Sequence, residues 1–256
     1  MDAAKGVAVV DGVWSRLADA QVPVTDLAFL RGFAVFDAMR AEGGQVPELD
    51  AHLDRFDASC RAVGLEPPPR EVLASELQEA ARRVGDDAVV RCTLTGSGRR
   101  IVLGWPLDRS RFNQPVRCAT GEQPHHGVIS GAVKHQSRLD WLVAVQRSGV
   151  DEVLLVDQAG LFTEGTTAAV LAVIDGALWT APFDGRILQS TTCEAVLRRA
   201  LALGVRVVRE GPPAAGPWDA LYIASTTRKL APVVELDGRA LPVWDPIGRL
   251  LADLPA

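Results

Sequence analysis

The chain has 256 residues, a net charge of −5 and a pI of about 5.4, with 48% hydrophobic and 23% charged residues. This composition is typical of a globular protein with one large or two modest domains. The acidic balance argues against a general nucleic-acid binder, and no apolar run approaches the ~20 residues that a membrane span needs. We therefore expect neither nucleic acid nor a membrane as a partner.

The cysteines and histidines do not form a metal-binding pattern. The four cysteines are widely spaced, and the sequence has no Cys-x-x-Cys pair and no His-Glu-x-x-His motif. The N-terminus carries Asp2 and has no apolar run of signal-peptide length. We expect buried thiols, no metal ion and a cytoplasmic location.

The first part of the chain mixes strand and helix signals. Asp11-Gly12 lies between two valine-rich runs, 7–10 and 13–14, which predicts a hairpin. A strand is predicted at 33–39, and Asp50 is predicted to be the N-cap of a helix that runs through Val63. The remaining elements predicted here are a helix at 71–84 and strands at 88–95, 101–104 and 117–119.

The polar, turn-rich stretch 120–127 predicts a linker between two domains, residues 1–119 and 128–256. Beyond it the pattern predicts helices at 138–148 and 192–203, and strands at 152–157, 168–174, 177–180, 205–209, 220–224 and 233–236. Strand-rich segments with few helices favour an α+β fold over the repeating βαβ of a doubly wound sheet.

The chain has 27 Lys and Arg residues, of which 24 are arginine and only three are lysine. Lys134 is the lysine in the middle of the chain. An ammonium can lose its proton and form an imine with a carbonyl, which a guanidinium cannot do. Glu164 follows thirty positions later, at a predicted strand–loop junction. The alternative interpretation is that Lys134 is an ordinary surface lysine.

Three further segments carry groups that bind anions. Ser190-Thr191-Thr192 precedes a predicted helix, Ser225-Thr226-Thr227 follows a predicted strand, and Arg55 falls off the apolar stripe of its helix. An N-cap, a turn and a solvated arginine are their ordinary interpretations. With an amine and a carboxylate, they make up the set of groups that pyridoxal phosphate requires.

Motifs in the order just described resemble the class IV aminotransferases, the family of branched-chain and D-amino-acid aminotransferases and 4-amino-4-deoxychorismate lyase. The resemblance runs from about Asp26 to Gly238. It is carried by 31–40, by His52-Leu53-Asp54-Arg55-Phe56, by Lys134, by 151–157 with Thr163-Glu164-Gly165-Thr166-Thr167, by 187–192, and by 225–228 with Pro232-Val233.

This resemblance implies fold type IV, with a small α+β N-terminal domain, a larger pseudo-barrel C-terminal domain and a homodimer. It implies pyridoxal 5′-phosphate as the cofactor and Lys134 as the catalytic Schiff-base lysine. Glu164 would face the pyridine nitrogen, and Arg55 would hold the phosphate. The cofactor-binding residues implied in this way are Arg55, Lys134, Glu164, Thr191, Thr192, Thr226 and Thr227.

Positions expected to face the substrate depart from the family pattern. Ala169 stands where the family has Asn, Cys193 where it has Arg, and Phe33 within its Gly-Asp-Gly segment. We expect substrate contacts from Phe33, Arg40 and Arg138. Arg138 would bind a substrate carboxylate or the cofactor's phenolate oxygen; the alternative is a solvated arginine paired with Asp140 or Asp151.

The expected activity is transfer of an amino group between an amino acid and a 2-oxo acid, because segment 225–228 is more similar to the transaminase members. The alternative is 4-amino-4-deoxychorismate lyase, which forms 4-aminobenzoate and pyruvate. A weakly catalytic protein that binds pyridoxal phosphate is a third hypothesis, suggested by Ala169, Cys193 and Phe33.

Overall fold

A computed structural model describes residues 3–85, 87–124, 127–243 and 245–252 of the chain. It divides into two compact units, and the predicted α+β class is confirmed in both. Among the described residues, the first unit holds 3–108 and 133–137, and the second holds 109–132 and 138–252.

The first unit is an antiparallel sheet covered by two helices. Its strands follow the order β2-β1-β5-β4-β3, and helices α2 and α3 pack against them around one apolar core. The elements described are β1 (Val7–Val10), β2 (Val13–Arg16), α1 (Leu27–Arg31), β3 (Ala34–Glu42), α2 (Leu49–Ala62), α3 (Arg70–Val84), β4 (Asp87–Thr95) and β5 (Arg100–Pro106).

The predicted hairpin at Asp11-Gly12 is confirmed, because both residues have a positive φ, 51° and 88°, between β1 and β2. The predicted N-cap at Asp50 is wrong. Glu48 occupies the cap position with a φ of 55°, so α2 begins one residue before Asp50. Asp50 instead lies in the first turn, where its carboxylate accepts a hydrogen bond of 2.9 Å from Arg70.

Helix α1 was not expected from the sequence, because five residues are too few to show a helical period. Its ends nevertheless carry ordinary signals. The Asp26 carboxylate accepts from the Ala28 amide at 2.8 Å, and Gly32 ends the helix with a φ of 65°.

The second unit contains a sheet that closes on itself. Six strands follow one another in the order β9-β12-β13-β6-β7-β8, and β8 pairs again with β9. Strand β6 is parallel to both of its neighbours, and the other pairs of this ring are antiparallel. The elements described are β6 (Val116–Glu122), α4 (Leu139–Ser148), β7 (Glu152–Val156), β8 (Phe162–Gly165), β9 (Ala169–Ile174), β10 (Ala177–Thr180), α5 (Thr191–Ala202), β11 (Arg206–Arg209), β12 (Ala220–Ser225), β13 (Lys229–Leu236), β14 (Arg239–Ala240) and α6 (Pro246–Ala252).

The expected linker at 120–127 differs from the structure at its start. Residues 120–122 continue β6 and pair with β7, and the amide and hydroxyl of Thr120 both donate to Asp237. Their polar side chains concealed the strand, because a ladder uses backbone groups whatever the side chains are. His125 and His126, also within the expected linker, lie outside the described residues.

The unit boundaries also differ from the expected domains 1–119 and 128–256. Residues 109–119 belong to the second unit because β6 pairs with β7 and β13. Residues 133–137 belong to the first unit, although they follow the expected linker. No helix in the described part of the chain is long and apolar enough to cross a bilayer.

Candidate active site

Lys134 lies in a short segment that pairs with β3, the edge strand of the sheet in the first unit. The Phe36 amide donates to the Lys134 carbonyl at 2.9 Å, and the Gln136 amide donates to the Ala34 carbonyl at 2.8 Å. His135 faces Val35 in this antiparallel bridge. The segment thus satisfies the backbone groups that an edge strand would otherwise leave open.

A second element holds the same lysine. The Lys134 amide donates to the hydroxyl of Ser59, a buried residue of α2, at 3.1 Å. The Lys134 ammonium nitrogen lies 5.1 Å from the centroid of the Phe36 ring, within cation–π range. Helix α2 and strand β3 therefore fix both the backbone and the direction of this side chain.

Arg91 of β4 is a second cation on the same ring, with its guanidinium carbon 3.7 Å from the Phe36 centroid. It also donates to the side-chain amide of Gln136. Burial lowers the pKa of Arg91 to about 10. Sequence reasoning missed this residue, although an arginine inside the apolar run 88–94 was a usable signal.

Arg55 reaches a buried carboxylate that sequence reasoning also missed. Its Nε donates to Asp37 Oδ2 at 2.7 Å, and its Nη2 donates to Asp37 Oδ1 at 2.8 Å. His52 Nδ1 lies 2.8 Å from the same Oδ1. Asp37 is fully buried in β3, and the only hint in the sequence was one acid within the apolar run 33–39.

The charges of this cluster are set by its neighbours. Burial alone would raise the pKa of Asp37, but the charge of Arg55 and hydrogen bonds from His52 and Arg55 lower that pKa well below its ordinary value. An ionised carboxylate only accepts, so His52 Nδ1 is the donor. Burial lowers the pKa of His52, and the charges of Arg55 and Lys134 lower it further. Both predicted cofactor-binding cations thus act on one histidine.

Two expected substrate residues of the first unit have structural contacts. Arg40 Nε binds the Glu42 carboxylate at 2.8 Å, with both side chains nearly buried. The Phe33 ring covers Gly96, where an added Cβ would collide with the ring.

In the second unit Glu164 is buried, and its position is fixed by strand register. It faces Ala169 of β9, and Ala169 faces Ala224 of β12. Glu164 Oε2 accepts a hydrogen bond of 3.3 Å from the Leu188 amide. The loop that leads into α5 therefore lies directly against this carboxylate.

Thr191 and Thr192 form the first turn of α5, one residue earlier than the predicted start. Ser190 is the N-cap, and its hydroxyl accepts from the Cys193 amide at 3.1 Å. Because Leu188 contacts Glu164, the structure brings this helix N-terminus close to that carboxylate. A helix N-terminus with nearby hydroxyls is suited to an anion.

Thr226 and Thr227 form the turn between β12 and β13, just beyond Ala224. This turn lies two strands from Glu164 along one row of the sheet, or about 10 Å at ordinary strand spacing. The second unit thus gathers three predicted segments at one end of its closed sheet.

Arg138 immediately precedes α4, as expected. Its Nη1 donates to the Thr166 carbonyl at 3.1 Å, and its guanidinium carbon lies 3.9 Å from the Trp141 ring centroid. Arg138 is therefore bound to the turn that follows Glu164.

Cys193, which stands where the resemblance led us to expect arginine, is a core residue. It packs inside the cluster beneath α5, 3.8 Å from the Thr180 hydroxyl, and burial raises its pKa to about 12. Ala169 belongs to the same core. Among the described residues, no group of three or more His, Cys, Asp or Glu side chains could hold a metal ion.

Comparison with known proteins identifies the family. The family model for amino-transferase class IV matches residues 34–236. A bifunctional aminodeoxychorismate lyase / D-amino acid transaminase of Mycobacterium tuberculosis is 27% identical, with 90% of each chain covered.

Solved structures confirm the predicted fold type IV. The fold IV transaminase CpuTA1 of Curtobacterium pusillum has a TM-score of 0.85 at 23% identity, with 97% of each chain covered. The branched-chain aminotransferase of Thermoproteus uzoniensis with norvaline has a TM-score of 0.88 at 24% identity, covering 96% of this chain and 92% of that one.

Replacement of Asp37 by Asn should destabilise the apo protein by roughly 3–5 kcal/mol, because it leaves the nearly buried guanidinium of Arg55 without its counter-charge. The control is Asp19→Asn, which breaks an exposed pair with Arg16 and should leave stability unchanged within error. Urea denaturation measures both. Equal, small effects would show that the Asp37 cluster does not support the fold.

The same variant has a defined pH dependence. The folded-state pKa of Asp37 lies below the ordinary 3.8, so its stabilisation is complete above about pH 4 and is lost as the pH falls further. The stability difference between wild type and Asp37→Asn should therefore shrink below pH 4. A difference that stays constant down to pH 2 would contradict the assigned ion pair.

Proposed function

We propose, on the premise that this chain belongs to the amino-transferase class IV family, that it moves an amino group between an amino acid and a 2-oxo acid. The family model matches well over half of the chain, and members of this family are enzymes that use pyridoxal 5′-phosphate. The observation that carries the proposal is Lys134, a primary amine held by β3, α2 and the Phe36 ring.

The donor groups of the chain fit this cofactor. An amine for the aldehyde is present in Lys134, and a buried carboxylate for the ring nitrogen is present in Glu164. The capped N-terminus of α5 supplies amides and hydroxyls suited to a phosphate. Pyridoxal phosphate would contribute the reactive aldehyde and a ring that accepts electrons.

Each residue then has one task. Lys134 would bind the aldehyde, and its amine would take and return the proton at the substrate carbon. Glu164 would keep a proton on the ring nitrogen. The phosphate would be held by Arg55, Thr191, Thr192, Thr226 and Thr227.

The residues that contact the substrate are a separate part of the proposal. The substrate contacts expected for Phe33, Arg40 and Arg138 stay predictions. Arg91 joins them on structural grounds, because it shares the Phe36 ring with Lys134. A positive charge there would attract the carboxylate of an amino acid or a 2-oxo acid.

The second candidate is 4-amino-4-deoxychorismate lyase. It is favoured by the Mycobacterium tuberculosis relative, whose name joins that lyase with a D-amino acid transaminase. Lyase chemistry uses the same amine, so both reactions suit one set of residues.

We further propose a cytoplasmic location, because all four cysteines are free and buried, as in a reducing compartment; cell fractionation tests this.

A homodimer is the assembly that we propose. Residues 22–33 carry a run of exposed apolar side chains, called the apolar patch below, in which Phe29 is 73% and Val24 69% exposed. Patches of this kind in globular proteins commonly mark protein–protein contacts.

The first prediction of this proposal concerns the lysine. After reconstitution with pyridoxal phosphate and reduction by borohydride, peptide mass mapping should find the added group on Lys134. Lys134→Arg should abolish the adduct, because a guanidinium forms no imine. Lys5→Arg and Lys229→Arg are matched controls and should retain it. An adduct on Lys5 or Lys229 in the wild type would overturn the assignment.

The second prediction separates the two reactions. With a panel of amino acids and 2-oxoglutarate as acceptor, we expect steady formation of new 2-oxo acids. Pyruvate from 4-amino-4-deoxychorismate without transfer to any acceptor would establish the lyase instead. Absence of both products would leave a cofactor-binding protein with little catalysis.

The third prediction concerns assembly. Sedimentation equilibrium should give about twice the 27.3 kDa of the chain. Phe29→Glu should shift the protein towards monomer, because it places a charge in the apolar patch. Val13→Glu is the control, since Val13 is equally exposed, at 71%, but lies outside the patch. A monomeric wild type would refute the dimer.

A further inference from the structure

A buried carboxylate lies at the start of β7 and is used by no step of the proposed reaction. Glu152 is only 1% exposed. Burying a carboxylate costs several kcal/mol unless donors satisfy its oxygens. The Thr167 amide donates to Glu152 Oε1 at 2.9 Å, and the hydroxyls of Thr166 and Thr167 donate to the two oxygens.

All three donors belong to the turn that directly follows Glu164. The same turn is bonded to β7 through its backbone, because the Thr166 amide donates to the Val153 carbonyl at 3.0 Å. The Gly165 amide donates a hydrogen bond of 2.6 Å to the Ala168 carbonyl, which closes the turn. Glu152 thus holds the turn by its side chain where β7 already holds it by its backbone.

Gly165 provides the space that this arrangement needs. A Cβ added there would lie 3.2 Å from Glu152 Cγ and 3.2 Å from the Ala168 carbonyl oxygen, tighter than ordinary contacts. A side chain next to Glu164 would therefore push Glu152 away from its donors.

Arg138 holds the opposite side of the turn. Its guanidinium donates to the Thr166 carbonyl, while Glu152 accepts from the Thr166 hydroxyl. Thr166, two residues after Glu164, is therefore bound to two charged side chains at once.

We propose that Glu152 is a positioning residue that sets the placement of Glu164 by holding the Thr166–Thr167 turn. The inference rests on the proposed function, in which Glu164 keeps a proton on the cofactor ring. The proposed reaction assigns Glu152 no contact with cofactor or substrate. Its effect on the reaction must therefore pass through Glu164.

The first test needs no cofactor. In the apo protein, Glu152→Gln should speed hydrogen exchange of the amides of 165–168 about tenfold or more, because an amide group cannot accept from all three donors. Asp151→Asn is the matched control, because this substitution removes the same charge one residue away. Asp151 is exposed, and its carboxylate accepts a hydrogen bond from the Arg117 amide. Unchanged exchange in Glu152→Gln would overturn the proposal. Thr167→Val, which removes a donor instead of the acceptor, serves if Glu152→Gln does not fold.

The second test is a double-mutant cycle on turnover of the reconstituted enzyme. Glu152→Gln should lower kcat about tenfold with little change in KM, and should have no further effect in a Glu164→Gln background. Independent, multiplying effects would overturn the link between the two residues while leaving the proposed function intact. An unchanged kcat in Glu164→Gln alone would instead refute the assigned role of Glu164, and the inference with it.

Discussion

Pairing of residues 133–137 with the edge of β3 is the constraint on which the candidate chemistry depends. A lysine in a loop would have to lose much side-chain freedom before its amine could act at a fixed place. Here two backbone hydrogen bonds to β3, and a third to Ser59, hold Lys134 before any ligand binds. The Phe36 ring then directs the ammonium and also carries Arg91, so a second cation is placed by the same strand.

Two buried carboxylates share one physical requirement and meet it in different ways. Asp37 is satisfied by side chains, Arg55 and His52, and so fixes the direction of a guanidinium. Glu152 is satisfied by the turn after Glu164, and so fixes a stretch of backbone. Neither group is proposed to touch the cofactor. Each buried carboxylate fixes the position of a group that is proposed to contact the cofactor: Asp37 fixes Arg55, and Glu152 fixes Glu164. Such fixed positions favour a site that is formed before the ligand binds.

Local signals predicted much of the fold and the main site residues. Local sequence patterns were enough to place α2, α3 and the Asp11-Gly12 hairpin, and the isolation of Lys134 among arginines drew attention to the amine. Sequence could not show that 133–137 join the first unit, because a strand edge is completed by residues about a hundred positions away. For the same reason Asp37, Arg91 and Glu152 were missed: each looks like one polar residue in an apolar strand until its partners are brought in by the fold.

A crystal structure of the protein reconstituted with pyridoxal phosphate tests the central claim most directly. We expect density continuous from Lys134 Nζ to the cofactor, with the pairing of 133–137 to β3 unchanged. The Glu164 carboxylate should lie about 2.6–3.2 Å from the ring nitrogen, and Arg55 should bind the phosphate while still paired with Asp37. A cofactor joined to Lys229, or one bound with Lys134 released from β3, would contradict this assignment.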